Sequence, residues 1–244
     1  MDDAPRAGEV VTLAPGVRRI VAPNPSPLTY WGTNTYLVGA ATVAVIDPGS
    51  AEATHLAAIL QAVGSAQVSH ILITHAHRDH SPLAAELRDA TGAPVYAFGP
   101  PEAGRSAVMA ALAAEGLAGG GEGVDTGFAP DHTLRDGDTV TGPDWALTAL
   151  HTPGHFAGHL SFALGEAVFS GDHVMGWAST LISPPDGDLA AFMASCARLR
   201  ARDDRVYYPG HGAPIESPGA RIDWLMAHRR AREAQILEAL SKSP

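Results

Sequence analysis

Cysteine is almost missing from this chain: Cys196 is the one thiol in 244 residues. No internal disulfide can form, which agrees with a reducing compartment. Cys196 shares a helical-core spacing with Leu189, Phe192, Met193 and Leu199, so it reads as buried filler rather than as a nucleophile or ligand. Long apolar runs are absent too, and none approaches the ~20 residues that a membrane helix needs. The start, Met1-Asp2-Asp3-Ala4-Pro5-Arg6, has no apolar core of a secretory signal, and a cytoplasmic location is expected. Positive charge is scarce: 16 Lys and Arg face 26 Asp and Glu, for a formal net charge of -10. Such a chain repels polyanions on average, which argues against bulk nucleic-acid binding. Repeats and low-complexity tracts are also lacking.

What the chain does have is a dense group of ligand-type side chains. Ile71-Leu72-Ile73-Thr74-His75-Ala76-His77-Arg78-Asp79-His80 puts three imidazoles and a carboxylate into six residues. The apolar, β-branched run from Val68 to Thr74 reads as a buried strand that delivers this group to a sheet edge. In an extended loop, alternation sends His75, His77 and Asp79 to one side and turns His80 away. One tetrahedral ion cannot easily take all four, whereas two adjacent ions can.

The length and the composition, 45% hydrophobic with 26 Gly and 19 Pro, suit one α/β domain rich in loops. Strands are expected over 9–22 and 35–47, the second broken like a hairpin at Gly39-Ala40-Ala41. A helix over 51–63, the strand to Thr74, a helix from Pro82 to about Ala90 and a strand over 94–98 follow in α/β order. A helix is expected near 102–117, ahead of the glycine-rich stretch Gly119-Gly120-Gly121-Glu122-Gly123. Strands return over 139–150 and 160–170, then a helix over 189–200 capped by Asp188, a short strand over 205–208 and a last helix over 220–240. Two blocks of strands and helices flank a midpoint near residue 120, which favours two sheets packed face to face with helices outside.

Three later turns place a His or Asp just after glycine at a strand end: Thr152-Pro153-Gly154-His155, Phe169-Ser170-Gly171-Asp172 and Tyr208-Pro209-Gly210-His211. Glycine permits sharp backbone turns there, and a rigid sheet can hold such loops in register for metal binding. In this order behind His-x-His-x-Asp-His, and with Gly32-Thr33-Asn34-Thr35-Tyr36 near the start, the sequence resembles the metallo-β-lactamase-fold hydrolases over nearly its whole length. The resemblance implies an αββα sandwich of two mixed sheets with a dinuclear site between them. It implies a domain over 9–217, with 1–8 a flexible N-terminus and 218–244 a C-terminal helix at which a further small domain starts or is absent. By position, His75, His77 and His155 would bind a first ion, Asp79, His80 and His211 a second, and Asp172 would bridge them.

Two divalent ions ~3.5 to 4 Å apart can lower the pKa of a shared water toward neutrality, so the chemistry expected is hydrolysis without a serine or cysteine nucleophile. Zinc suits the imidazole-rich half, and iron or manganese would also accept the mixed set. Asp79 is the candidate to orient the attacking oxygen. Asp47, His159 and His173 are expected around the ligands, Asp47 as a buttress of the ligand loop, His159 as a hydrogen-bond partner of the site and His173 on the pocket wall or at the leaving group. Tyr30, Trp31 and Asn34, with the loop Trp177-Ala178-Ser179-Thr180-Leu181-Ile182, are expected at the substrate rim.

Within the family, Gly171-Asp172-His173-Val174-Met175-Gly176 and the stretch from His228 to Leu237 look most like the β-lactamase-like protein 2 group. Some of its members are single-strand RNA endonucleases with a further small helical domain after this ending, and Arg229, Arg230 and Arg232 are the one feature here that favours RNA. That spacing more often marks a solvated helix face. Cap-domain nucleases do not fit the short interval from 172 to 211, glyoxalase II lacks its match in a long helical C-terminal domain, and β-lactamases are secreted. An ester, thioester or lactone of a small molecule is the expected substrate, with RNA second and a non-catalytic metal-binding protein last.

Overall fold

The computed structural model describes residues 4–121 and 123–242. The first sheet is built from β1 (Val10–Ala14), β2 (Val17–Val21), β3 (Asn34–Val38), β4 (Thr42–Ile46), β5 (Gln67–Leu72), β6 (Val95–Ala97) and β7 (His132–Thr133), in that spatial order. β1 to β4 pair antiparallel, and β4 to β7 run parallel. The parallel part is threaded by α1 (Ala53–Val63) and α2 (Leu83–Thr91), while α3 (Ala107–Ala114) lies in the connection to β7. The second sheet has the order β12 (Val206–Pro209), β11 (Ala167–Gly171), β10 (Leu160–Leu164), β9 (Ala146–His151) and β8 (Thr139–Thr141). α4 (Leu189–Arg200) and α5 (Pro218–Ser241) complete the chain.

Period-2 alternation sorts the side chains into three apolar layers. On the first sheet Leu37, Val43, Val45, Val68 and Ile71 face α1 and α2. Their neighbours Tyr36, Val38, Ala44, Ile46 and Leu72 face the other sheet, where they meet Leu147, Leu160, Phe162, Phe169 and Tyr208. Val168 and Tyr207 point outward against Phe192, Cys196, Leu199, Ile222 and Leu225 of α4 and α5. Strands buried on both faces must be apolar at nearly every position, and each fully buried Leu or Phe contributes about 1.5–3 kcal/mol. Helix, sheet, sheet, helix is the αββα order that the resemblance implies.

Several boundaries differ from expectation. The stretch 9–22 is a hairpin of two strands turning at Gly16, where φ is +72°. α3 is shorter than 102–117 because its cap is Ser106, whose hydroxyl accepts Met109 N. β7 has no periodic apolar signal, since both residues are exposed; they pair with β6 through backbone and through the His132 ring stacked on Tyr96 at 4.8 Å. At the N-terminus, where flexibility is expected over 1–8, residues 1–3 lie outside the described ones, and Gly8 N donates to Val21 O at 2.9 Å. The first part of α5 is anchored by Ile222 and Leu225, and everything from residue 230 to 242 is exposed. Among the described residues no helix is long and apolar enough to cross a membrane.

Candidate metal centre

The two sheets are tied together at one end. Leu160 N, at the start of β10, donates to Thr74 O behind β5 at 2.8 Å, and Asn34 N of β3 donates to Gly210 O behind β12 at 2.7 Å. The loops after β5, β9, β11 and β12 therefore open on a common space. It receives His75, His77, Asp79, His80, His155, Asp172 and His211, all at most 6% exposed.

The loop after β5 is not extended as the alternation argument requires. His80 N and Ser81 N both donate to His77 O, at 3.0 and 3.1 Å. This tight turn brings His80 back to the same side as its neighbours, so local hydrogen bonding overrides strand alternation. Two groups of ligand atoms result, each within 4.8 Å: His75, His77 and His155 in one, Asp79, His80, Asp172 and His211 in the other. Asp172 faces both, since its Oδ2 lies 3.3 Å from His211 Nε2 and 3.7 Å from His155 Nε2.

Hydrogen bonds behind the rings decide which nitrogen faces inward. Thr74 Oγ1 donates to Asp47 Oδ2 at 2.7 Å and is left to accept from His75 Nδ1 at 2.9 Å. His80 Nδ1 donates to the same Asp47 Oδ2 at 3.0 Å. His155 Nδ1 donates to Leu181 O at 2.6 Å, and His211 Nδ1 to Gly32 O at 3.2 Å. Each Nδ1 is thus engaged behind its ring, and each Nε2 is the nitrogen left facing the centre. Asp47 serves two rings at once and holds φ +50° to do so, a backbone conformation rarely kept without a tertiary reason.

The inward atoms make poor sense by themselves. His75 Nε2 and His155 Nε2 converge on His77 Nδ1 at 2.9 and 3.0 Å. Asp79 Oδ1, His80 Nε2 and Asp172 Oδ1 are buried with no hydrogen-bond partner, a costly arrangement unless a further group satisfies them. Charges agree with this reading. Burial and the neighbouring imidazoles push the first group down, His77 to about 3, which leaves neutral rings suited to a cation. In the second group burial opposes charge, yet the carboxylates win. Asp79, Asp172 and Asp47 hold His80 well above the ordinary value, and Asp172 and Asp79 hold His211 at about 10. Against their own burial, Asp79 and Asp172 are pulled far below the usual carboxylate range by His80 and His211. The set demands positive charge, and it could hold two metal ions. Oxygen and nitrogen donors of this kind do not choose between zinc, iron and manganese.

Glycine is required at two of the turns. A Cβ on Gly210 would overlap Asp172 Oδ1 and stand 2.8 Å from His80 Cε1, and one on Gly171 would stand 2.6 Å from His159 Nε2.

The remaining expected residues divide differently. His159 touches the ligand rings, 5.2 Å between centroids with His75, but its hydrogen bond goes from Nδ1 to Thr152 Oγ1 at 2.9 Å and not to a ligand. His173 points away from the cavity and packs on Phe192, with Cys196 Sγ 3.7 Å from Nε2, so it is not placed to touch a leaving group. Asn34 is fully buried behind the rim and donates from Nδ2 to Pro209 O and Gly212 O, both at 2.9 Å. It fixes the turn that carries His211. Tyr30 stacks between Trp31 and Trp177, and of these three only Trp177 lines the cavity; Pro27 and Leu28 enter instead from the same loop. Trp177 to Ile182 line it as expected. Thr74, whose hydroxyl links Asp47 to His75, is not among the expected residues although it directly precedes the first ligand. Arg229 stands on the cavity wall, where the sequence places it only in a solvated basic cluster.

The cavity above the two groups has a volume of about 350 Å³, at the small end of ligand sites. Its floor includes His77, Asp79, His155, Asp172 and His211.

The chain is similar to known proteins over most of its length. The beta-lactamase-like protein 2 homolog of Caenorhabditis elegans is 31% identical over 240 residues, 94% of this chain and 72% of that one. The atrochrysone carboxyl ACP thioesterase of Claviceps purpurea is 30% identical over 249 residues, 99% of this chain and 70% of that one. The crystal structure of a metallo-beta-lactamase family protein from Thermus thermophilus superposes with a TM-score of 0.76 at 29% identity, covering 96% of this chain and 85% of that one. The profile of the metallo-beta-lactamase superfamily matches residues 28–211, which span the four ligand turns from the first strand-end loop to the last histidine. With sandwich, ligand order and profile in agreement, the chain belongs to the metallo-beta-lactamase superfamily and is a metal-dependent hydrolase.

Proposed function

We propose that the chain is a dinuclear hydrolase of small-molecule acyl compounds, with a thioester as the first choice among thioester, ester and lactone. One observation carries this reading: both ligand groups open on the same small, largely apolar cavity, with Asp172 between them. The thioesterase activity in the name of the Claviceps relative supports the choice of substrate.

Two divalent ions bound there would supply Lewis acidity and an acidified water as nucleophile at neutral pH. Asp79 has an unpartnered carboxylate oxygen, Oδ1, at the cavity floor, and this oxygen would accept a hydrogen bond from the attacking oxygen and so orient its lone pair toward the acyl carbon. Asp47 and Thr74 keep His75 and His80 in one tautomer and one rotamer throughout. Leu28, Met175, Leu181 and Ile182 exclude bulk water around the scissile bond.

RNA cleavage has less support. Of the three arginines that favour it, Arg229 turns inward to Thr180 O and Arg232 bonds Gln235 on its own helix, so these two do not line a shared basic groove. The test is a panel of acyl thioesters, esters, lactones and single-stranded RNA offered to metal-loaded protein. Thioester turnover lost in Asp172→Ala supports the proposal, and RNA turnover lost in the same variant, with no acyl substrate cleaved, overturns it.

A further inference from the structure

Arg229 is the one guanidinium or ammonium group among the described residues that line the cavity. It enters from α5 and shares the cavity with His77, Asp79, His155, Asp172 and His211. Its Nη2 donates to Thr180 O, its Cζ sits 5.7 Å over the Phe192 ring, and its Nε is buried with no acceptor. Seven arginine–carboxylate pairs occur among the described residues, and none includes Arg229. A half-buried cation with no carboxylate in ion-pair contact among the described residues is costly to keep.

Arg221, earlier on the same helix, shows what a purely structural arginine looks like here. Its Nε and Nη2 bond Met175 O and Ala178 O, both at 2.6 Å, its guanidinium lies 4.3 Å over Trp224, and it stands outside the cavity. Arg221 already clamps the loop from Met175 to Ala178. Arg229 adds a positive charge to a wall that also carries the apolar side chains of Leu28, Met175, Leu181 and Ile182.

We infer that Arg229 is a specificity residue that pairs with an anionic group of the substrate, held a few apolar carbons away from the scissile carbonyl. The inference rests on the hydrolase reading for its chemistry: water adds to the acyl carbon, the C–S bond breaks, and its electron pair leaves on the thiol while the acid and a proton are released. The anion can be carried by the acyl part as a carboxylate or by the thiol part as a phosphate. Guanidinium pairs with either in a two-point contact.

The experiment compares kcat/KM of metal-loaded protein for three thioesters: pentanoyl and glutaryl N-acetylcysteamine, and pentanoyl phosphopantetheine. Arg229→Gln keeps a donor for Thr180 O and removes the charge, and Arg229→Lys restores the charge. A preference of about tenfold or more for one anionic arm over the neutral thioester is expected, collapsing toward one in Arg229→Gln and recovering in part in Arg229→Lys. The arm that shows it locates the anion. A merely structural role lowers all three rates together and leaves their ratios unchanged, which overturns the inference, as does a wild-type protein with no preference. Calorimetric binding of glutarate and of phosphopantetheine, each against pentanoate, is read in parallel and needs no turnover. Tighter binding of either anion that is lost in Arg229→Gln, with no thioester cleaved, keeps the anion site and removes the hydrolase reading; equal binding by both proteins removes the anion site.

Discussion

The two groups share the loop after β5, draw their other members from different loops, and differ in charge. His75, His77 and His155 are imidazoles alone, kept neutral by burial and by one another. Asp79, His80, Asp172 and His211 include two carboxylates that hold their histidines protonated when no ion is present. The first group is a neutral seat and the second an anionic one, so an ion must displace protons to enter the second. Asp172 and Asp47 join the two seats, Asp172 by facing both groups and Asp47 through Thr74 and His80. A substitution can therefore damage one seat or both, and the difference is measurable.

The largest effect is expected for Asp172→Ala, which removes the one carboxylate of the second group that also faces the first. Turnover of the thioester should fall by about a thousandfold or more, with a metal content below that of the wild type. His77→Ala attacks only the neutral seat. It should remove most activity while circular dichroism and a cooperative melt persist, because the sandwich is held by its apolar layers; global unfolding would mean that the ion holds the fold. Gly210→Ala places a Cβ against Asp172 and His80 and should weaken the anionic seat, seen as one metal lost on dialysis while the other stays. Asp47→Asn leaves every ligand in place and loosens one ring in each seat, with about 10–100-fold lower metal affinity or activity expected.

An effect on stability, with none on turnover, is expected from a histidine outside both groups. His55 is 1% exposed, its Nε2 meets Thr35 Oγ1 at 2.8 Å, and burial lowers its pKa to about 4 from 6.5. The unfolded chain binds that proton first, so the contribution is whole above about pH 6.5 and is lost as pH falls to about 4, some ~3 kcal/mol in all. Denaturant titrations of wild type and His55→Gln over this range should differ in slope, with or without metal. Parallel slopes would contradict the assignment.

The family, the two-sheet sandwich and the gathering of His and Asp side chains at strand ends are legible in the sequence because each rests on a local pattern: apolar strands, then His, Asp and Gly at their ends. Asp47 can be placed for the same reason, at the end of a strand beside the one that leads to the ligands. What alternation cannot supply is the turn from His77 to His80, whose course is decided by two backbone hydrogen bonds. Rim residues are harder. Asn34 and His173 have polar side chains that tertiary packing turns inward, toward Pro209 O and Cys196, and no periodicity distinguishes that from a place on the cavity wall. Arg229 sits in a run of charges that reads as a solvated helix face, and only the docking of α5 on α4 brings it to the site.

Two seats that differ in charge are tested most directly by counting tightly bound metal per chain by elemental mass spectrometry after dialysis, in wild type, His77→Ala and Gly210→Ala. Close to two ions in the wild type and close to one in each variant is the expected result. A wild type that is fully active with a single ion, or variants that lose both ions together, would contradict it.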